Sequence, residues 1–121
     1  MILDSNIIIY SALPGENFLV SFLAKHKTYC SRISYLETLG YHRLQPYEKK
    51  YFDGFFKKLQ IIEIDLEIIL EATTLRQKTN IASCDAIIAA TALLYGFELV
   101  TNNEKDFKNI KGLKIINPLH Q

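Results

Sequence analysis

Cysteine, excess charge of one sign and long apolar runs are all scarce in this sequence. The two cysteines, Cys30 and Cys84, are too few for a disulfide framework and lack the spacing of metal ligands. A net charge of +1 provides no large basic field, so any binding to nucleic acid must come from local basic patches or from a bound metal. The apolar runs are too short to span a bilayer, and no basic segment precedes the first of them. We therefore expect a cytoplasmic protein with neither a membrane span nor a signal peptide.

The composition is that of an ordinary globular domain. Hydrophobic residues make up 49% of the chain and charged residues 22%, which is enough apolar material for a core. A length of 121 residues fits one domain, and the chain contains no repeat, linker or low-complexity tract. We therefore expect residues 1–121 to form a single domain.

Short apolar runs alternate with segments of helical periodicity along the chain. The runs predict strands at residues 1–3, 28–30, 61–64, 98–101 and 113–116. The periodic segments predict helices at about residues 6–12, 16–25, 34–44, 46–59, 66–79 and 84–95. Because helices separate the strands, we expect parallel pairing through right-handed crossovers, with both faces of the sheet covered. The predicted fold class is α/β, a three-layer α/β/α sandwich with a central parallel sheet.

Local signals mark where several of these helices begin and end. Ser34 and Glu37 match a capping box, so we predict that Ser34 opens the third helix. Asp65 and Ser83 stand where the caps of the last two long helices are expected, and Gly96 is a stop signal.

Four acidic residues are expected at one edge of the sheet. In open parallel sheets, ligands bind outside the carboxyl ends of the strands. Asp4 ends the first strand, Glu37 opens the helix after the second, and Asp106 follows the fourth. Asp85 lies in the first turn of the helix that precedes the fourth strand, so we assign it to the same edge.

Each acid also has a purely structural interpretation. Glu37 can complete a capping box, Asp85 can favour a helix dipole, and Asp106 can cap a short helical turn. Asp4 is harder to explain in this way, because a carboxylate directly after a buried strand is costly to bury. Two unit charges about 4 Å apart repel by about 4 kcal/mol at an effective dielectric of about 20, so the four together require cations. Carboxylates without His or Cys ligands favour Mg²⁺ or Mn²⁺.

Carboxylates that bind divalent metal suit the hydrolysis of phosphodiesters. Such a metal activates a water molecule by lowering its pKa, and it stabilises charge on the phosphate and on the leaving oxygen. Polar residues beside the acids can orient carboxylates or water, or can simply form turns and caps. These residues are Ser5, Asn6, Thr101 and Asn103.

The acids and their polar neighbours lie in four short segments. These are MILDSN at residues 1–6, ISYLE at 33–37, CDAIIAATA at 84–92 and LVTNNEKDF at 99–107. In this order and spacing they resemble the four conserved blocks of PIN-domain proteins of the VapC type. One block alone is a weak signal, whereas four in sequence over the whole chain are specific.

The resemblance implies a PIN-like fold and the toxin of a type II toxin–antitoxin pair. Such a protein is an endoribonuclease that uses Mg²⁺ or Mn²⁺, forms a homodimer and is blocked by a cognate VapB-like antitoxin. Carried over by position, Asn6 and Asn103 are polar supports and Thr101 lines the site. The acidic quartet, catalytic and metal-binding, is Asp4, Glu37, Asp85 and Asp106.

Two positions depart from the family pattern. Ser5 stands where Thr is common, which keeps a hydroxyl, and Cys84 stands where Pro is common. Neither change removes a ligand, but both make the substrate preference harder to infer. Transfer, ribosomal and messenger RNA all stay open as substrates.

Other interpretations compete with that of a toxin. A PIN-domain nuclease for RNA processing would usually carry extra domains, and an inactive PIN-fold scaffold would not need all four acids. A phospho-accepting regulatory module would need a central Asp after a middle strand, and Asp65 fits a helix cap better. A metal-free ribonuclease would need paired histidines, whereas His26, His42 and His120 all lie outside the four segments.

Residues 47–59 form an unusually aromatic helical segment. Tyr47, Tyr51, Phe55 and Leu59 share one stripe, and lysines flank it. Such a stripe is usually core, but part of it can meet an antitoxin or a second subunit. The lysines can alternatively follow an RNA backbone.

Overall fold

Five short strands form one parallel sheet in the structure, a computed structural model that describes residues 1–119. They are β1 (Ile2–Leu3), β2 (Tyr29–Ser31), β3 (Gln60–Ile62), β4 (Leu99–Val100) and β5 (Ile115–Ile116). Their order across the sheet is β3-β2-β1-β4-β5, and every pairing is parallel. All five predicted strands are therefore confirmed, with ends that differ by one or two residues.

The described residues form seven helices. These are α1 (Ser5–Ser11), α2 (Asn17–Lys25), α3 (Arg32–Leu39), α4 (Pro46–Lys58), α5 (Leu66–Lys78), α6 (Ser83–Tyr95) and the short α7 (Glu104–Phe107). Across residues 1–119, no helix has the length and apolar character needed to cross a membrane.

The two faces of the sheet are covered by different helices because successive strand residues point in opposite directions. Ile2 and Leu99 are fully buried on the face that α5 and α6 cover. Leu3 and Val100 are fully buried on the face that α1, α2 and α4 cover. This arrangement confirms the α/β fold with a central parallel sheet between two helical layers.

The aromatic residues of α4 pack mainly on the second face, but the predicted stripe lies at the edge of that packing. Phe52 and Phe56, beside the stripe, are buried, and Tyr51 of the stripe is partly buried with its hydroxyl 2.8 Å from Ser11 Oγ. Tyr47 is exposed. The outer edge of the stripe, with Phe55, lines a groove between α4 and α2.

The predicted start and end of α3 are wrong. Ser31 is the N-cap, and its hydroxyl oxygen accepts a hydrogen bond from the backbone N–H of Ile33 at 3.2 Å. Ser34 therefore lies inside the helix, and Glu37 does not complete a capping box with it. Both serines can cap a helix, and Ser31 is the one that does because β2 ends there. The helix also ends at Leu39 rather than near residue 44, because Gly40 takes the C-cap position.

The other helix signals have mixed outcomes. Asp65 caps α5 as predicted, accepting from the backbone N–H of Ile68 at 2.9 Å. Gly96 ends α6 with a left-handed backbone, at φ 70°. The prediction that Ser83 caps α6 is wrong, because Ala82 occupies that position and makes no side-chain bond.

Two glycines should respond in opposite directions to substitution by alanine. Gly96→Ala should lower the free energy of unfolding by about 1 kcal/mol, because an L side chain is strained at its positive φ. Gly54→Ala should raise it by roughly 0.5–1 kcal/mol, because Gly54 is inside α4 and an added Cβ meets no atom within 4 Å. Urea denaturation measures both, and shifts of the same sign would contradict this account of the two backbones.

Candidate functional site

Asp4 is the buried centre of the candidate site. It follows β1 directly, caps α1 and is only 4% exposed. The backbone N–H of Ser5 donates to Oδ1 at 2.8 Å, and the hydroxyl of Thr101 donates to Oδ2 at 2.7 Å. Burial raises the pKa of Asp4, these two hydrogen bonds oppose that rise, and the charges of Glu37 and Asp106 add to it. The two hydrogen bonds, one to each oxygen, hold the carboxylate in one orientation.

Thr101 connects Asp4 to the segment after β4. β1 and β4 are hydrogen-bonded neighbours, with Leu3 opposite Val100, so the residues that follow them are adjacent. Thr101 is fully buried, and its hydroxyl also accepts from the backbone N–H of Asn103 at 2.9 Å. Asn103 thus supports the site through its main chain, while its side chain is exposed.

A pair of serine hydroxyls positions Glu37. Ser5 Oγ lies 2.6 Å from Glu37 Oε1 and 2.9 Å from Ser34 Oγ. Ser34 is fully buried and stands one turn before Glu37 on α3, so both side chains face α1. Sequence reasoning assigned Ser34 to a cap and missed this role. A buried hydroxyl three residues before an acid on the same helix face is the signal that indicates it.

Asp85 lies in the first turn of α6 and is partly buried. Burial, followed by the negative charges of Asp4, Asp106 and Glu37, raises its pKa from 3.8 to about 6. Its charge is therefore coupled to all three other acids, which places it at the edge of the sheet where Asp4 lies.

Asp106 occupies the open side of the site. It is an exposed residue within α7 and does not cap that helix, since Asn103 holds the N-cap position. Together with Asp85, it lines a cavity of about 310 Å³. Its charge raises the pKa values of both Asp4 and Asp85.

Two further side chains border the acids. The side-chain oxygen of Asn6, in α1, is buried and has no hydrogen-bond partner, so an acceptor is available there. Burial and the adjacent carboxylate of Glu37 raise the pKa of the Cys84 thiol. Cys84 therefore stays protonated, which suits neither a nucleophile nor a thiolate ligand. No pattern in the sequence predicts the contact of Cys84 with an acid on another helix.

The four carboxylates fit a hydrated hard cation better than an enclosed metal. Among residues 1–119, no three His, Cys, Asp or Glu side chains converge closely enough to surround an ion. Mg²⁺ typically keeps several waters and takes only one or two carboxylates from the protein. The raised pKa values of Asp4 and Asp85 and the unpaired Asn6 oxygen are consistent with such an occupant.

The described histidines take no part in this arrangement. His26 is exposed at the end of α2 with Nδ1 2.8 Å from the carbonyl oxygen of Phe22. His42 is exposed with its ring beside that of Tyr41. His120 lies outside the described residues.

Comparison with known proteins identifies the family. The PIN domain family model matches residues 1–113. Ribonuclease VapC1 of Rickettsia felis is 46% identical over 41 residues, which cover 34% of this chain and 31% of that protein. The match thus spans about a third of that curated relative.

Solved structures extend the similarity over nearly the whole fold. A toxin–antitoxin complex from Klebsiella pneumoniae has a TM-score of 0.77 at 29% identity, over 97% of this chain and 96% of that one. VapBC2 from Rickettsia felis, bound to a DNA fragment from its promoter, has a TM-score of 0.79 at 26% identity, over 96% of both chains. DNA-bound VapBC from Salmonella typhimurium, with a TM-score of 0.85 at 20% identity over 97% of this chain and 96% of that one, shares the fold.

Asp85→Asn should raise the melting temperature of the metal-free protein at pH 8, because it removes a charge that partial burial and the negative charges of the other three acids both disfavour. Folding raises the pKa of Asp85 from 3.8 to about 6, so folding disfavours its ionised form. The resulting destabilisation is absent below pH 3.8, grows as the pH rises and is complete above pH 6. The stabilising effect of Asp85→Asn should therefore shrink between pH 8 and pH 5.

Thermal unfolding in EDTA measures this effect. Asp53→Asn is the matched control, because Asp53 lies on α4 and pairs with Lys49 at 2.8 Å. The control should give no stabilisation at either pH. A gain for Asp85→Asn that is the same at pH 5 and pH 8 would contradict the repulsion between the acids.

Proposed function

The chain belongs to the PIN domain family, and on that premise we propose that it is a metal-dependent endoribonuclease, the toxin of a type II toxin–antitoxin pair. The observation that carries the proposal is the set of carboxylates around Asp4, in which burial together with the neighbouring negative charges raises the pKa values of Asp4 and Asp85. The name of its relative, Ribonuclease VapC1, supports RNA as the substrate. The toxin–antitoxin complexes among its structural neighbours support an antitoxin partner.

The acidic residues of the site would bind the cation, and their polar neighbours orient the carboxylates. Asp4, Glu37, Asp85 and Asp106 would hold a hydrated Mg²⁺ or Mn²⁺, with one or two of the carboxylates as direct ligands and the others acting through its waters. When bound, the cation supplies a more acidic water and positive charge against the phosphate. Thr101 and the N–H of Ser5 keep Asp4 in place, and the Ser5 hydroxyl keeps Glu37 in place. The Asn6 oxygen can accept a hydrogen bond from a water in the site.

Asp4→Asn should abolish cleavage while leaving the fold intact. Asparagine caps helices as well as aspartate does, so α1 should persist, but the carboxylate is lost. Residues that only orient metal ligands contribute about 10–100-fold to activity, so we expect a loss of roughly 100-fold or more. A mixed RNA pool incubated with Mg²⁺, with Mn²⁺ or with EDTA measures this.

The wild type should cut in either metal and not in EDTA, and Asp53→Asn should behave as the wild type. If the wild type is folded and free of antitoxin but cuts no RNA with Mg²⁺ or with Mn²⁺, the chain is better interpreted as an inactive scaffold. Cleavage that survives EDTA or Asp4→Asn would exclude the proposed carboxylate mechanism.

The groove between α2 and α4 is the surface that we assign to the antitoxin. It encloses about 580 Å³, and its walls are apolar, with Val20 and Leu23 from α2 and Phe55 and Leu59 from α4. Val20 is 47% exposed, so apolar surface remains uncovered. His26, Lys27 and Lys58 at the rim favour an apolar segment that carries acidic residues. We expect the protein itself to be a homodimer formed through another face.

Val20→Glu should weaken antitoxin binding by at least about tenfold, because it places a charge in the apolar groove. Leu70→Glu, at a 58% exposed position on α5, is the control and should bind normally. Calorimetry with the product of an adjacent antitoxin-like reading frame measures the affinity. Hydrogen exchange should show added protection at residues 47–59 in the complex.

Gel filtration separates the two candidate occupants of the groove. If Val20→Glu turns a dimer into a monomer and leaves the antitoxin affinity unchanged, the groove binds a second copy instead. Absence of added protection at residues 47–59 would likewise exclude the antitoxin from this surface.

A further inference from the structure

We infer that the cavity beside Asp85 and Asp106 binds one nucleotide of the RNA next to the scissile phosphate and selects its base. This inference rests on the proposed ribonuclease function. The cavity measures about 310 Å³, at the lower end of the ~300–1,000 Å³ typical of small-ligand pockets. It has room for a single residue of RNA rather than for a duplex.

Two anchored segments form the walls of this cavity. One is the connection between α5 and α6, where the Thr79 hydroxyl donates to the Leu75 carbonyl at 2.9 Å and Arg76 Nε donates to the Ile81 carbonyl at 3.1 Å. Asn80 is exposed between those two fixed points. The wall is therefore held in place without a ligand.

The facing wall is built in the same way from α7 and the turn that follows it. Phe107 is only 1% exposed and anchors α7 in the core, and the N–H of Ile110 donates to the Phe107 carbonyl at 3.1 Å. Asn109 is exposed between these anchored residues and faces the same cavity as Asn80. Two exposed asparagines from two anchored segments thus line the same cavity.

The lining residues of the cavity can contact the edge of a base, the face of a base and a phosphate. Asn80 and Asn109 each offer two donors and one acceptor oxygen, which match the edge of a base. Ile81 and Ile110, at 6% and 5% exposure, provide an apolar floor against which a base can pack. Lys105 adds a cation for a neighbouring phosphate. Sequence-specific RNA recognition usually takes this form, with an unstacked base bonded along its edge.

The position of the cavity links base selection to cleavage. Asp85 and Asp106 belong both to its lining and to the acidic site. A base seated there would place an adjacent phosphate at the carboxylates. Asn80 and Asn109 are therefore specificity-determining residues that contact the substrate away from the bond that breaks.

Asn80→Ala and Asn109→Ala should relax the preference for one base beside the cut. The probe is a random-sequence RNA pool, and sequencing of the product ends gives the preference at each position. We expect the preference at one position to fall by roughly 5- to 100-fold, the range of one bidentate base contact. Asn17→Ala, at an exposed position on α2, should leave every preference unchanged.

A second measurement does not require cleavage. The random-sequence RNA pool is incubated with immobilised Asp4→Asn protein and Mg²⁺, and the RNA that the protein retains is sequenced. Adding Asn80→Ala or Asn109→Ala should remove the same base preference. Lys105→Ala should weaken binding and reduce the slope of log affinity against log salt by about 1, whereas Lys25→Ala should not.

The two measurements separate this inference from the proposed function. Wild type that cuts RNA while both asparagine variants keep the full base preference would overturn the subsite and leave the nuclease intact. If the wild type never cuts RNA but binds it with a base preference that the asparagine variants lose, the proposed nuclease is overturned and the base subsite is upheld. Variants that change antitoxin affinity and no RNA preference would show that the cavity serves the antitoxin.

Discussion

The hydrogen bond from Thr101 to Asp4 joins residues 97 positions apart and is the contact on which the site depends. It exists only because β1 and β4 are adjacent parallel strands, so that their carboxyl ends lie side by side. A carboxylate at 4% exposure would be costly if unpaired. Thr101 and the N–H of Ser5 offset part of that cost and thereby determine where every other acid must approach.

The remaining acids are brought to Asp4 by helices that pack closely on the sheet. Ala86, Ala89 and Ala90 of α6 are fully buried, and their small side chains allow the helix backbone to approach its neighbours. Asp85 at the start of that helix is consequently held near the other carboxylates, where burial and, after it, their negative charges raise its pKa. The apolar packing of α6 thus keeps Asp85 in place against the repulsion between the carboxylates, which a bound cation would reduce.

Much of this arrangement follows from local sequence, and what does not follow depends on contacts between distant segments. The apolar runs predicted every strand, and Asp4 at the end of the first run was already expected at the sheet edge. Ser34 carries the stronger local capping signal because Glu37 follows it, yet Ser31 is the cap because β2 ends there. The contact of Cys84 with Glu37 and the cavity shared by Asn80 and Asn109 join separate elements, and no periodicity within one element reveals them.

Burial decreases across the acids in a consistent direction. Asp4 is almost fully buried, Asp85 is partly buried, and Asp106 is exposed on α7. An approach to the acids from solvent is open over α7, beside the exposed Asp106. Lys105 and Asn109 lie along that approach, on the side where the repelling charges are best screened by water. The same gradient that keeps Asp4 buried and oriented therefore leaves the exposed side of the acidic site accessible from solvent.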